Sequence, residues 1–326
     1  MPKTTGKLEK RIFKKGSTTY YWSSRLFPKK YRDDVFALYS FVRTADDYVD
    51  EEPPQPKKLL QLEKDWHKAI NDPSFEQIAH SWDDIDEIAI KHIVRLTHKY
   101  KFDPAWVQSF FDAMKQDIDH SGYANINESL KYVYGSAEVV GLMMARIMGV
   151  DNPENVRRVL HLDEAQGVRE KQVTAVQNLA RAQGRAMQWI NFIRDVDEDN
   201  RLGRTYFPRN DLRKYNLKDL SKETARAQKA DFERFMRYQL KRYEKWQAEA
   251  DKGVEYIPKR LRSGLKTAVE MYNWTAKKID KNPLIVFDKK IKPKKIRFLW
   301  SGTKRVSNKA ARLFASQETP AKKQKK

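Results

Sequence analysis

A chain of 326 residues with 65 Lys or Arg, 44 Asp or Glu, a net charge of +21 and no cysteine can bury a large core. The lack of cysteine excludes disulfides, iron–sulfur clusters, thiolate zinc sites and thiol redox chemistry, and it fits a cytoplasmic setting. The charge is uneven: residues 289–326 hold 14 Lys or Arg against Glu318 alone, a net +13 that leaves +8 for residues 1–288.

Residues 1–16 are basic and poor in large apolar groups, so they read as a flexible arm. They lack the apolar region that a secretory signal needs. The stretch STTYYWSSRLFP then leads into a helix carrying Val35, Leu38, Tyr39 and Val42 at helical spacing. That helix ends in RTADDYVDE, where Asp46 and Asp50 are four apart with Arg43 one turn earlier. Pro53, Pro54 and Pro56 stop it, and a polar helix is expected over 57–71.

Asp72-Pro73, Asp103-Pro104 and Asn152-Pro153 each place a capping side chain before a proline at a first helical position. Apolar residues recur every three or four, as in Ile85, Ile88, Ile93 and Leu96, and no hairpin signature competes. The fold class expected is all-α, and with no Gly/Ser-rich linker, one domain.

Between Ser129 and Gly149, small residues Gly135, Ser136, Ala137, Gly141 and Ala145 sit among bulky apolar ones. They allow close approach of either a second helix or an elongated apolar ligand. The apolar run 139–150 is too short for a membrane span and contains Arg146.

The stretch QWINFIRDVDEDNRLGRTYFP, residues 188–208, sets Asn191, Asp195 and Asp199 at successive spacings of four on a helix expected to stop at Gly203. Arg194, Arg201 and Arg204 surround these acids, and Trp189, Ile190, Phe192 and Ile193 give the helix an apolar side. A long helix is expected over 222–256, with Phe232, Phe235, Met236, Tyr243 and Trp246 lining a cavity or filling the core. A last helix is expected over 262–279 with Tyr272.

Two acidic helix faces with arginines beside them suit an anion carried between magnesium ions. Magnesium takes one or two carboxylates and completes its octahedron with water and phosphate oxygens, which points to a diphosphate.

Together ALYSFVRTADDYVDE, GSAEVVGLMM and QWINFIRDVDEDNRLGRTYFP resemble, in order, the motifs of the squalene/phytoene synthase family over roughly residues 17–290. The third motif separates it from chain-elongating relatives. The resemblance implies a helical bundle of the isoprenoid synthase type around an apolar cavity, its two aspartate-rich helices facing each other at the mouth. It implies Mg2+, or Mn2+ in its place, held by Asp46, Asp50, Asn191, Asp195 and Asp199, with the four aspartates catalytic. It implies substrate contacts from Ser17, Thr19, Tyr39, Arg43, Gln188, Arg194, Arg204, Tyr206 and Tyr272.

The reaction implied is head-to-head coupling of two prenyl diphosphates. The motifs look most like phytoene synthases acting on geranylgeranyl diphosphate; the alternative is a squalene or dehydrosqualene synthase using farnesyl diphosphate, with NADPH for squalene. Gly16 and Asp197 depart from the usual pattern. The boundaries implied are an arm at 1–16, a catalytic unit at 17–288 and a basic tail at 289–326. The tail suits anionic membrane headgroups at the inner face, or simply stays solvated. A basic nucleic-acid-binding protein has only charge behind it, and no nucleic acid partner is expected.

Overall fold

The computed structural model describes residues 23–75, 84–119, 122–162, 168–291 and 293. Ser17, Thr19, Gly16, the arm and most of the basic tail lie outside these residues. Among the described residues there is no strand, only an isolated bridge between Tyr123 and Pro208, so the all-α expectation holds.

Helix α1 (Lys29–Asp50) is followed by α2 (Pro56–Ile70), α3 (Ile85–Tyr100) and α4 (Pro104–Gln116). Proline opens α2 and α4, and the Asp103 side chain caps α4 by accepting from Ala105 N–H. Asp34, buried on α1, accepts from Arg95 (2.9 Å), Lys99 (2.6 Å) and Tyr100 (2.6 Å), which clamps α1 to α3. Burial alone would raise this carboxyl, but these three donors hold it below its usual range.

Helix α5 (Ile126–Val133), a π-helical turn (Tyr134–Glu138) and α6 (Val139–Met148) form one continuous rod. Asn152 caps α7 (Pro153–Val159), and α8 (Glu170–Arg194) follows. A Cβ on Gly184 would meet Ala137 O at 2.4 Å, and one on Gly141 would meet Ala180 O at 2.5 Å. The two glycines therefore let α6 and α8 pack backbone to backbone, antiparallel. Glu138, buried in the π turn, adds ion pairs to Arg181 (2.8 Å) and Arg185 (2.6 Å) of α8.

The expected single helical face through Asp199 is bent. Helix α8 ends at Arg194, Asp195 leaves helical geometry at φ −100°, ψ 14°, and α9 (Val196–Arg201) continues. The i to i−4 bonds persist, from Asp195 N to Asn191 O and from Asp199 N to Asp195 O, both 2.8 Å, so the spacing of the three side chains survives the bend. Gly203 ends α9 at φ +69°. Its N–H reaches Asn200 O, and Arg204 N–H reaches Asp199 O, the paired bonds of a Schellman stop.

After α10 (Arg209–Lys214), the helix expected over 222–256 is three pieces: α11 (Lys222–Ala227), α12 (Lys229–Asp251) and a 3-10 turn (Lys252–Tyr256). The α12 aromatics fill the core. Trp246 packs edge-on to Trp189 of α8 at 5.1 Å, and Phe235 edge-on to Phe207 at 5.4 Å. Helix α13 (Arg262–Lys281) and a 3-10 turn (Pro283–Phe287) close the bundle. Packing continues past residue 288, where Ile291 is buried. No single described helix is long and apolar enough to cross a membrane.

Candidate active site

The C-terminal half of α1 and the C-terminal end of α8 deliver their acids to one end of a cavity of about 740 Å³. Tyr39, Arg43, Asp46 and Asp50 enter from α1, Gln188, Asn191 and Arg194 from the end of α8, Asp195 from the bend after it, Asp199 from α9, Arg204 and Tyr206 from the loop behind it, and Tyr272 from α13. Three stretches far apart in sequence thus meet at one mouth. Asp197 does not line it and pairs with Arg201 at 3.4 Å instead.

Acids and cations alternate around this mouth. Arg43 pairs with Asp46 at 2.6 Å and also with Asp47. Arg204 reaches Asp50 at 2.7 Å and donates to Val49 O, and Arg194 forks onto Asp195. Burial and then the neighbouring Asp50 push the Asp46 carboxyl up to about 8, although its side chain keeps 35 % of its surface open. Burial and then Asp195 raise Asp199 well above the carboxylate range. The site gathers more negative charge than its arginines neutralise.

That surplus is what bound cations would relieve. All the donors are oxygen atoms, which suits a hard divalent ion. Asn191 Oδ1 is buried and accepts no hydrogen bond from any described group. Among the described residues no three His, Cys, Asp or Glu side chains converge closely enough to enclose an ion by themselves.

Several lining residues were not legible in the sequence. Asp117 follows α4 and is buried, and it accepts from Tyr132 Oη (2.6 Å) and Tyr206 Oη (2.8 Å). Burial pushes its carboxyl up to about 6 against those donors and Arg204. Tyr206 stacks on Phe192 at 4.3 Å and tilts onto Tyr132 at 5.0 Å, forming an aromatic wall. Tyr132 lies just before the GSAEVVGLMM motif, which is a signal only in hindsight, whereas Asp117 belongs to no spaced pattern. Glu198 and Lys290, both on the lining, pair at 2.6 Å, so the start of the basic tail reaches the mouth.

Away from the acids the lining turns apolar, with Val35, Leu38, Met144, Met148, Val176 and Ile257. Val176 and Asn191 both line the cavity from α8, so at 1.5 Å per helical residue the cavity runs about 22 Å along that helix. Both readings of the small-residue stretch apply: its glycines pack helices together, while Ser136, Ala137, Gly141 and Ala145 also line the cavity. A long space, charged at one end and apolar along its length, suits an amphiphile with a polyanionic head.

A profile described as squalene/phytoene synthase matches residues 13–297. A 15-cis-phytoene synthase from Pantoea ananas is 26% identical over 283 residues, covering 81% of this chain and 79% of that protein. Phytoene synthase from Arthrospira platensis is 26% identical over 277 residues, covering 83% and 82%. Among solved structures, a dehydrosqualene synthase in complex with a ligand aligns with a TM-score of 0.72 at 21% identity, covering 94% of this chain and 97% of that one. A squalene synthase from Alicyclobacillus acidocaldarius aligns at 0.65 and 20% identity, covering 85% and 93%. At those identities the structural likeness shows the fold.

Proposed function

The chain belongs to the squalene/phytoene synthase family, and from that premise we propose that it couples two geranylgeranyl diphosphates head to head into phytoene. The observation that carries this reading is the union of both acid clusters and the arginines Arg43, Arg194 and Arg204 at one end of a single elongated apolar cavity. Relatives named phytoene synthase favour the geranylgeranyl substrate.

Asp46, Asp50, Asn191, Asp195 and Asp199 would hold Mg2+, which when bound supplies positive charge to the diphosphate and its departing oxygens. The arginines orient the diphosphate and add charge to it as it leaves. Tyr39, Gln188 and Tyr272 complete the mouth. Ser17 and Thr19, outside the described residues, are assigned the N-terminal contact. The allylic cation left behind faces the Phe192, Tyr206 and Tyr132 rings, and aromatic faces stabilise a desolvated cation by about 2 kcal/mol. The double bond of the second chain attacks, and loss of a proton closes a cyclopropyl diphosphate. A second ionisation, rearrangement and proton loss give the hydrocarbon, so each stage releases one diphosphate and one proton. No nucleophilic side chain and no reductant are needed. The product is insoluble in water, and the basic segment 289–326 provides peripheral contact with an anionic membrane at the cytoplasmic face.

The test is incubation of the purified protein with Mg2+ and geranylgeranyl or farnesyl diphosphate, with and without NADPH, followed by chromatographic identification of the hydrocarbon. A C40 product without reductant is expected. A C30 product would move the assignment to dehydrosqualene or squalene synthesis, and no product from either substrate would overturn the reading.

A further inference from the structure

At the apolar end of the cavity, Met148, Val150 and Ile257 form the described part of the wall. Contacts of Gly184 with Ala137 and of Gly141 with Ala180 fix the antiparallel register of α6 against α8. One more turn sets Ala145 opposite Val176, and both line the cavity. Met148, the last residue of α6, therefore sits at the end remote from Asn191 and Asp195.

Beyond Met148 lies an open surface depression lined by Asn152, Glu154, Asn155, Arg157 and Arg158, and Met148 lines both spaces. On either side of it the chain alternates. Val150 faces the cavity and Gly149 the depression; Ile257 faces the cavity and Pro258 the depression. The main chain of this wall is tied down. Asn155 Nδ2 donates to Val150 O (3.0 Å) and Tyr256 O (2.6 Å), Val150 N–H to Ala145 O (2.9 Å), and Arg262 Nε to Ile257 O (2.7 Å). Within a fixed backbone frame the unbranched Met148 side chain is the adaptable part.

We infer that Met148 is the floor against which the far end of the prenyl chain stops, and that it sets the longest chain the enzyme accepts. This rests on the prenyl diphosphate reading and deepens it. The charged mouth fixes the head of the substrate, so any surplus length is pressed onto the opposite end, where removing the thioether opens the floor toward the surface depression.

The test compares wild type with Met148→Ala and Met148→Trp. In Met148→Ala the ratio of kcat/KM for geranylfarnesyl over geranylgeranyl diphosphate rises about tenfold or more, the scale at which an apolar pocket discriminates chain length. In Met148→Trp the ratio for farnesyl over geranylgeranyl diphosphate rises. Equilibrium binding of alkyl bisphosphonates of increasing length gives a readout that needs no turnover: the longest chain tolerated increases in Met148→Ala. If Met148→Trp fails to fold, as judged by circular dichroism, Met148→Ala decides alone. Unchanged chain-length profiles in folded protein would overturn the inference. A shifted binding profile in a protein that turns over no prenyl diphosphate would leave the floor standing and remove the catalytic reading instead.

Discussion

At the residue scale the two acid clusters are not equivalent. Asp50 neutralises Arg204, whose side chain is only 6 % exposed, whereas Asp195 pairs with Arg194, which at 17 % is better hydrated. Asp50→Ala takes one partner from Arg204, which keeps its bond to Val49 O, and it also removes a charge that raises Asp46 and Asp199, so the loss in urea unfolding should stay within about 1 kcal/mol, and that of Asp195→Ala should be smaller still. Both are expected to lower turnover by about a hundredfold or more; near-normal activity of either with Mg2+ would refute its assignment. A second prediction follows from Asp46. Its folded-state pKa of about 8 lies above the ordinary carboxylate value of 3.8, so without metal the fold keeps a proton that the unfolded chain has lost. That contribution is complete below the unfolded value and disappears as pH rises through about 8. Mg2+ held at Asp46, as proposed, would take the proton's place, so the rise in Tm on adding Mg2+ should be larger near pH 9 than near pH 6. Equal rises in paired thermal scans would count against metal at Asp46. The charged residues of the mouth were legible because acids spaced by four and flanked by arginine form a pattern. Asp117 was not, since a lone carboxylate acquires its role from Tyr132 and Tyr206, which are distant in sequence.

At the element scale, sequence periodicity found most of the long helices but not their bends, and it gave no reading of α10 or of α8 before Gln188. No proline or glycine marks the turn at Asp195. The break before α12 falls at Gln228, whose side chain donates to Asn216 O at 2.9 Å, a tertiary contact that overrides local propensity. The aromatics of α12 looked equally suited to cavity or core, because helical spacing says that a face is buried and not what it faces. The glycines of α6 and α8 are where composition carried structural information. Gly184→Ala would drive a methyl group into Ala137 O, and the resulting overpacking should cost about 2 kcal/mol or more. Gly203→Ala strains only a left-handed residue with nothing within 4 Å of the added Cβ, at about 1 kcal/mol. Chemical denaturation of the two variants checks the order; a Gly184→Ala protein as stable as wild type would mean that α6 and α8 can separate without loss.

At the scale of the whole molecule, charge and shape divide the labour. The catalytic end concentrates acids inside a protein of net charge +21, of which residues 289–326 carry +13. Lys290 of that segment already lines the cavity mouth and pairs with Glu198, so the basic segment starts at that mouth. Near an anionic bilayer each Lys or Arg contributes about 1 kcal/mol, and the attraction falls within a Debye length of about 8 Å at physiological salt. The full chain should therefore co-sediment with vesicles rich in phosphatidylserine at low salt and be released at high salt. A chain ending at residue 293 should lose most of that binding while keeping its turnover of detergent-dispersed substrate, because the lining of the described cavity ends at Lys290. Equal vesicle binding by both chains would place the membrane contact on the helical body. Binding to RNA with the same salt dependence, and none to vesicles, would instead assign the tail to nucleic acid.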